Sequence, residues 1–135
     1  MTSQLTPYLT FDGNAREAMS HYHAVLGGEL SISTFGDYGQ TEGVDPDGVM
    51  HAHLETPEGL VLMASDNGPN MDLQRGNNIT VSIAGDDASL RDYFAGLAEG
   101  GVVTMPLATQ VWGDEFGMLI DRFGIPWMVN ISASQ

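Results

Sequence analysis

Residues 49–66, VMHAHLETPEGLVLMASD, decide the fold, because they read as two strands joined by a tight turn. Pro57 suits the second position of a type I turn, and Gly59 suits the left-handed position that follows it. Thr56 should then face Leu60 across a hairpin. Since cross-strand partners share a face of the sheet, this turn also predicts which side chains lie together.

The hairpin register predicts one face that is rich in polar groups. Counting back from the turn, His53 lies opposite Met63, and His51 lies opposite Ser65. We therefore expect both histidines on one face. A slip of one residue would exchange this set for its complement.

A second hairpin follows in residues 116–131, FGMLIDRFGIPWMVNI. The same count places Met118 opposite Met128 and Phe116 opposite Asn130. One face of this hairpin is therefore predicted to be mainly apolar.

The same elements precede each hairpin, so the chain reads as a tandem repeat. The copies span about residues 5–66 and 77–132, and in each a strand, a helix ending in a glycine pair and a further strand come first. A copy of roughly sixty residues is too small to bury its own sheet, so the copies must pair. The sequence predicts an α+β fold: one domain over residues 1–135, with two tandem βαβββ modules forming a cupped mixed sheet.

Local signals predict the boundaries of the elements. Strands are expected over residues 5–11 and 77–84, where apolar and polar residues alternate. Asn14, followed three residues later by a glutamate, predicts a capping box at the start of the first helix. Pro106 predicts an edge strand or a bulge. Residues 36–48, rich in glycine and acidic residues, predict a mobile surface loop of the length that often covers a site.

The composition excludes several classes of function. The net charge is −14, and the 4 basic residues are all arginine. Such a surface suits neither nucleic acid nor an anionic membrane, and the lack of lysine excludes Schiff-base chemistry. The acidity favours solubility or, alternatively, steers a cationic ligand. Because there is no cysteine, disulfides, thiolate catalysis and cysteine-based metal sites are excluded.

The sequence gives no sign of a membrane or secretory segment. Apolar runs such as residues 60–64 are short, whereas a spanning helix needs about 20 residues. Residues 1–4 lack the basic-then-apolar layout of a signal peptide. We therefore expect a cytoplasmic protein.

Several segments resemble the PhnB-like proteins over nearly the whole chain. The segments are YLTFDGN (8–14), MHAHL (50–54), MASD (63–66), WGDEFGML (112–119) and DRFGIPWMVN (121–130). These proteins form a branch of the vicinal-oxygen-chelate superfamily, with glyoxalase I, bleomycin-resistance proteins and extradiol dioxygenases. The resemblance implies paired βαβββ modules around a cup, usually in a homodimer.

The resemblance also bears on cofactors. Some PhnB-like proteins carry a quinone methyltransferase label, but no strand here precedes a glycine-rich loop that opens a helix. Glyoxalases hold a divalent metal through His and Glu, and the matching positions here are Asn78, Met63, Met128 and one of residues 5–7. None is His, Asp or Glu, and thioethers suit Cu(I) rather than zinc, nickel or iron. We therefore expect no metal and no cofactor.

His51 and His53 are the strongest remaining candidates for chemistry. Two histidines at i and i+2 on a strand share a face, and Glu55 continues the row. PhnB-like proteins commonly carry a carboxylate where His53 stands. The pair could chelate a metal together with a third group, or it could act in acid–base chemistry or ligand binding. Alternatively, the two imidazoles have no functional role and form hydrogen bonds with neighbouring polar groups.

Methionine and tryptophan side chains are the apolar candidates. Met63, Met118 and Met128 could line an adaptable pocket or belong to the core. Trp112 lies in a loop at the expected mouth of the cup, where it could stack on a flat or cationic ligand or be buried. Trp127 should point away from Met128, against a helix.

The sequence thus supports three hypotheses. The first is a homodimeric, metal-independent protein that binds a small, partly apolar molecule. The residues predicted to line its cup are Tyr8, His51, His53, Met63, Asn78, Trp112, Phe116, Met118 and Met128. The second is an isomerase, lyase or hydrolase that uses His51 or His53, with or without an unusual metal. The third is a cleft filled by its own side chains.

Overall fold

The structure, a computed structural model, describes residues 3–40, 42–68 and 72–133. The chain divides into two compact units, Met1–Arg75 and Gly76–Gln135. Their elements, in chain order, are β1 (Tyr8–Phe11), α1 (Ala15–Leu26), β2 (Glu29–Thr34), β3 (Val49–Glu55), β4 (Val61–Asp66), β5 (Val81–Gly85), α2 (Ser89–Ala98), β6 (Val102–Thr109), β7 (Glu115–Ile120) and β8 (Pro126–Ile131). The predicted α+β class and the βαβββ order of each module are confirmed. The single-domain organisation stays a prediction.

Each unit folds its four strands into one mixed sheet. The strand order is β1-β4-β3-β2 in the first unit and β5-β8-β7-β6 in the second. The first strand of each module runs parallel to the last, and the other neighbours are antiparallel. As a result, β2 and β6 each form the edge of a sheet.

One face of each sheet packs against a helix. In the first unit α1 contacts β2, β3 and β4, and it buries Ala15, Ala18, Met19, Tyr22 and Leu26. In the second unit α2 lies on its own sheet and buries Leu90, Phe94 and Leu97. We call the covered side of each sheet its helix face and the other side its open face. Neither helix in the described part of the chain has the length and apolar character needed to cross a membrane.

Both hairpins have the predicted turn. Thr56 N donates to Leu60 O at 3.0 Å, and Asp121 N donates to Ile125 O at 2.9 Å. Gly59 has a φ of 95°, a backbone conformation that glycine adopts without steric cost. The turn chemistry read from the sequence is therefore confirmed.

The predicted register is confirmed as well. The pairs His53–Met63, Met118–Met128 and Phe116–Asn130 are all present. In the first hairpin the ladder also pairs Ala52 with Ala64. His51 precedes Ala52 on the same strand and is half-buried, and its pairing with Ser65 stays a prediction.

The start of α1 differs from the prediction. Within the described residues, the side chain of Asn14 makes no capping hydrogen bond. Ala15 N, the first amide of the helix, instead donates to Asp66 Oδ1 at 2.9 Å, and Val49 N donates to Asp66 Oδ2 at 2.9 Å. A carboxylate at the end of β4 thus caps the helix and meets the positive end of its dipole.

Two strands begin later than predicted. β1 begins at Tyr8, so residues 5–7 precede it, and β5 begins at Val81, so Asn78 precedes it. Pairing with β4 and β8 sets these limits. The alternation of apolar and polar residues continues beyond the segments that pair. The strands predicted from this alternation were therefore too long at their starts.

Pro106 lies in β6, which is an edge strand. The pairing of β6 with β7 shifts between Val103 and Met105 and again between Met105 and Ala108. The predicted edge strand and bulge are both confirmed.

Gly28 and Gly101 lie where each helix-to-strand connection crosses the base of a hairpin. A Cβ atom on Gly28 would lie 2.3 Å from Glu55 O, and one on Gly101 would lie 2.3 Å from Ile120 O. Real Cβ atoms do not approach a carbonyl oxygen so closely. Each crossing therefore requires glycine.

Residues 36–48 are tied together at their base. Phe35 N donates to Gly48 O at 3.0 Å, and Gly36 N donates to Pro46 O at 2.8 Å. Thr34 and Asp37 also exchange two side-chain-to-backbone hydrogen bonds, at 2.9 and 3.0 Å. The loop is thus anchored to the end of β2, and its mobility stays a prediction.

Candidate functional site

Tyr8 and His51 are in contact on the open face of the first sheet. Tyr8 Oη and His51 Nδ1 are 3.1 Å apart, and one donates to the other according to the imidazole tautomer. Their rings are 5.7 Å apart at an angle of 33°. The phenol therefore orients the imidazole, which is the arrangement that acid–base chemistry or polar ligand binding requires.

Four register partners form a row across this open face. Tyr8 pairs with Met63, Met63 pairs with His53, and the next strand contributes Ser31 opposite His53. The row therefore runs from a phenol through a thioether and an imidazole to a hydroxyl. Such a surface offers mainly hydrogen-bonding groups.

His53 lies at an acidic groove on the edge of the first sheet. Its Nε2 is 3.9 Å from Glu55 Oε1, and Glu29 lies directly opposite Glu55 on β2. The groove has a volume of about 430 Å³ and is lined by Glu29, Leu30, Ser31, His53 and Glu55. Two carboxylates facing each other repel, so a positive charge placed here would be stabilised.

The open face of the second sheet is more apolar. Its central pairs are Met118 with Met128 and Phe116 with Asn130. These four side chains are half-buried. The amide of Asn130 is thus the polar group of this set, and the thioethers offer a surface that can repack around ligands of varied shape.

Trp112 lies in the turn between β6 and β7 and is 58% exposed. Its ring meets that of Phe116 edge-on, with centroids 6.0 Å apart at 63°. This arrangement presents a large aromatic surface to solvent beside the open face. Trp127, in contrast, is 2% exposed, and its Nε1 donates to Asp121 Oδ2 at 2.8 Å, so the prediction that it points away from the half-buried Met128 is confirmed.

Asp114 positions Asn130 beside this aromatic pair. Asn130 Nδ2 donates to Asp114 Oδ2 at 3.0 Å, and Ala133 N donates to Oδ1 at 3.0 Å. The bond from Asn130, joined by that from Ala133, holds the pKa of the Asp114 carboxyl below its ordinary value. Asp114 therefore stays ionised at neutral pH and keeps the amide of Asn130 oriented.

Arg91 forms an ion pair with Glu115. Arg91 Nε donates to Glu115 Oε1 at 3.1 Å, and Nη2 donates to Oε2. The hydrogen bond from Arg91 holds the pKa of Glu115 below its usual range. The guanidinium is thus engaged by a carboxylate, which lowers its capacity to bind an anionic ligand.

Asn78 is the predicted site residue that the structure separates from these sheets. It precedes β5 in a bend and is exposed, and the β5 residue that pairs with Met128 is Ser82. The predicted strand was too long at this end. Asn78 therefore does not occupy the register position that the sequence assigned to it.

The residues present do not fit the divalent metal that the superfamily resemblance implies. The open-face partners on the strands that would hold it are Tyr8 with Met63 and Ser82 with Met128. Phenol, hydroxyl and thioether groups are not the imidazole and carboxylate donors of zinc, nickel or iron sites. Over residues 3–40, 42–68 and 72–133, no group of three His, Cys, Asp or Glu side chains comes together to hold a metal ion.

Sequence reasoning missed the residues that complete these surfaces. Ser31, Ser82 and Met105 each extend a row on an open face, and Asp114 orients Asn130. The register of the hairpins predicted two strands of each sheet, whereas the partners on the outer strands depend on long-range pairing. The bulge in β6 also prevented prediction of the strand partner of Met105 from the sequence.

A family model described as 3-demethylubiquinone-9 3-methyltransferase matches residues 3–130 of the chain. The chain belongs to this family, that of the PhnB-like proteins. The resemblance inferred from the sequence is confirmed.

Similar proteins include solved structures and a curated relative of this PhnB-like chain. Protein PA1353 from Pseudomonas aeruginosa is 43% identical, with a TM-score of 0.87 over 98% of this chain and 100% of that one. A PhnB protein from Bacillus cereus, also described as a 3-demethylubiquinone-9 3-methyltransferase, is 25% identical, with a TM-score of 0.77 over 96% and 100%. Protein YjdN of Escherichia coli is 29% identical over 97% of each chain.

The fold of the PhnB-like chain extends to the wider superfamily. A glyoxylase/bleomycin resistance protein/dioxygenase domain from Frankia is 16% identical, with a TM-score of 0.65 over 99% of this chain and 94% of that one. At this identity the likeness establishes the fold alone. The predicted glyoxalase/bleomycin-resistance-like fold is confirmed.

Proposed function

We propose that this PhnB-like protein binds a small, partly apolar organic molecule on the open faces of its sheets. The observation that supports this most directly is the exposed indole of Trp112 held edge-on against Phe116. Ligand sites combine apolar and aromatic lining with a few polar groups that fix orientation. Tyr8 and His51 supply such polar groups at 3.1 Å from each other.

The proposed ligand-binding residues keep the set predicted from the sequence. They are Tyr8, His51, His53, Met63, Asn78, Trp112, Phe116, Met118 and Met128. In this proposal Trp112 and the methionines offer apolar and aromatic contacts, and Tyr8 and the histidines offer hydrogen bonds to a polar group. Asn78, which precedes β5, would reach the ligand from outside the sheet.

Charge favours a neutral or cationic ligand. The net charge of the chain is −14, Glu29 and Glu55 face each other in the groove beside His53, and Arg91 is paired with Glu115. A phosphonate, which the name PhnB suggests, would meet repulsion rather than a cluster of cations.

Three further parts of the proposal follow from the family resemblance. We propose that the protein is a homodimer, that its two modules form one domain, and that the usual metal site of the superfamily is lost. The donor set on the open faces supports the last of these, because it lacks the imidazole and carboxylate groups of such sites. A cytoplasmic location stays a prediction from the sequence.

The second candidate is an enzyme in which His51 or His53 acts as general acid or base, or holds an unusual metal. The contact between Tyr8 Oη and His51 Nδ1 favours it, because a hydrogen bond that fixes one ring nitrogen leaves the other directed at a substrate. An isomerase, lyase or hydrolase reaction would use such a group.

One experiment separates the two candidates. A library of neutral and cationic aromatic compounds is screened by thermal shift, and hits are measured by calorimetry with the wild type, Trp112→Ala, His51→Ala and the control His23→Ala. His23 is a matched control because it lies on α1 and bonds to Gly28 O at 2.9 Å. Binding predicts a loss of about 1 kcal/mol for His51→Ala, as for one hydrogen bond, a larger loss for Trp112→Ala, and no change for His23→Ala.

An enzyme predicts a different pattern. His51→Ala would then lower the turnover of a hit by about 10² or more while changing its affinity little. If every hit binds Trp112→Ala and His51→Ala as it binds the wild type, the open faces are not the binding surface. That result contradicts the binding candidate, and turnover of every hit by His51→Ala at the wild-type rate would contradict the role of His51 in the enzyme candidate.

A further inference from the structure

Three methionines stand at one register position on adjacent strands of the second sheet. Met105 on β6 pairs with Met118 on β7, and Met118 pairs with Met128 on β8. Met118 and Met128 are directly opposed and share the open face, and Met105 is placed beside Met118 as its partner on β6, between two shifts in register. Met105 is 41% exposed, and Met118 and Met128 are half-buried, so solvent reaches the row.

The spacing of the row allows the sulfur atoms to converge. Neighbouring strands lie about 4.8 Å apart, and directly opposed Cβ atoms lie about 5 Å apart. Methionine is unbranched and has three rotatable side-chain bonds. The outer two side chains can therefore lean toward the sulfur of Met118, which lies between them.

Thioether sulfur is a soft donor that selects Cu(I) among the biological metals. Hard or borderline ions prefer carboxylate and imidazole groups, and the next residue of the row, Ser82 opposite Met128, supplies neither. The chain contains no cysteine that would compete for a soft ion. The donors are thus three thioether sulfur atoms, which are neutral and soft.

The aromatic pair lies beside this row. Phe116 is two residues before Met118 on β7, and it therefore projects from the same face. Trp112 meets Phe116 at 6.0 Å. Aromatic faces attract a neighbouring cation and limit the access of water to it.

We propose that Met105, Met118 and Met128 form a binding site for a soft monovalent metal ion, Cu(I) in the cell. The ion is taken up as Cu(I), so no electron transfer is involved. The site lies within one sheet of one unit and does not rest on the organic ligand proposed above. It is also unrelated to the divalent metal of the superfamily, whose donor groups are absent from these positions.

The first sheet provides an internal control. Its corresponding row contains Tyr8, Met63, His53 and Ser31, with one thioether among four residues. Met63 is half-buried like Met118. Substitution of either methionine by leucine conserves volume and is well tolerated in packed sheets.

Ag(I) is a suitable probe because it is soft, monovalent and stable in air. Protein labelled with ¹³C at the methionine methyl groups is titrated with Ag(I) and followed by NMR. We expect saturation at one equivalent, with the largest shifts at the methyl groups of Met105, Met118 and Met128. Cu(I) added without oxygen, in competition with a chromophoric chelator, should occupy the same site.

Two variants test the assignment. Met118→Leu should weaken Ag(I) binding at least tenfold, whereas Met63→Leu should leave it unchanged; the methyl spectrum of each variant also reports whether the sheet is intact. Absence of saturable binding by the wild type would overturn the proposal. So would binding that survives Met118→Leu, or shifts centred on other methionines.

Discussion

Asp121 is a buried carboxylate in the turn between β7 and β8. Its Oδ1 accepts hydrogen bonds from the amides of Phe123 at 2.8 Å and Ile125 at 3.0 Å, and its Oδ2 accepts one from Trp127 Nε1 at 2.8 Å. Thr56 holds the equivalent place in the first hairpin, where its hydroxyl accepts one amide hydrogen bond at 3.1 Å. A charged acceptor that satisfies three donors stabilises a turn more than a hydroxyl that satisfies one.

Asp121→Asn should lower the free energy of unfolding by about 2–3 kcal/mol, because a side-chain NH₂ would then face either the indole N–H or the turn amides. Urea unfolding measures the change. The exposed Asp12→Asn is the control and should stay within about 0.5 kcal/mol of the wild type. In a Trp127→Phe background the cost of Asp121→Asn should be smaller; full additivity of the two substitutions would contradict a direct contribution from the indole bond.

Local sequence could not reveal how the first helix is capped. Asn14 with a following glutamate is a sound capping signal, yet Asp66 occupies the helix start from 51 positions along the chain. The sequence likewise contained no sign that Asp114 orients Asn130 across 16 positions. A tertiary contact replaces the local capping interaction where folding brings a stronger hydrogen-bond acceptor to the helix start from a distant part of the chain.

At the scale of elements, each helix passes into its next strand through two glycines. Gly27 has a φ of 77°, and a Cβ there would meet open space, whereas Gly28 has a φ of 87° and would place its Cβ 2.3 Å from Glu55 O. Both positions have a positive φ, which other residues adopt only with strain, but an added Cβ would clash with neighbouring atoms only at Gly28. They therefore form a matched pair.

Gly27→Ala should cost about 1–3 kcal/mol, as expected for a residue forced into a glycine conformation. Gly28→Ala should cost several kcal/mol more, or abolish folding, because α1 and β3 must also separate. Thermal unfolding of both variants measures the difference. Equal stability of the two variants would contradict the close approach of the junction to β3.

Hairpins were the elements that the sequence predicted best. A type I turn with glycine after it sets the register by chemistry within five residues, so the pairs His53–Met63 and Met118–Met128 were accessible from the sequence. The starts of β1 and β5 were not accessible, because parallel partners far along the chain set them.

At the scale of the whole molecule, the edge strand β6 exposes apolar side chains. Val102 is 63% exposed and Val103 is 43% exposed, and Ile120 on the neighbouring strand is 40% exposed. An exposed apolar edge strand is a ready surface for pairing with another chain. This surface supports the homodimer that we propose.

Sedimentation velocity should give a mass twice that of the 14.5 kDa chain. Val102→Asp should shift the protein toward monomer, because a carboxylate would be buried in the interface without a partner. Val111→Asp, at a fully exposed position in the turn before β7, should leave the mass unchanged. A wild type that stays monomeric at all concentrations would contradict the dimer, and a dimer insensitive to Val102→Asp would exclude this strand as its interface.

The candidate site was partly accessible from the sequence. Register and residue type predicted which histidines and methionines share the open faces, whereas for Trp112 the sequence left an exposed and a buried position open. The partners on outer strands, such as Ser31 and Met105, required the sheet order itself.

The two rows on the open faces fit an origin of the chain by duplication of a half-length ancestor. An ancestral half-length chain that was duplicated would have kept, in both copies, whatever its packing required: the glycine at each helix-to-strand crossing and the turn of each hairpin. The open-face residues would have been free to change, and the row of the first sheet is now mainly polar while that of the second contains three methionines. Exchanging the open-face residues of one copy for those of the other should therefore leave the scaffold intact.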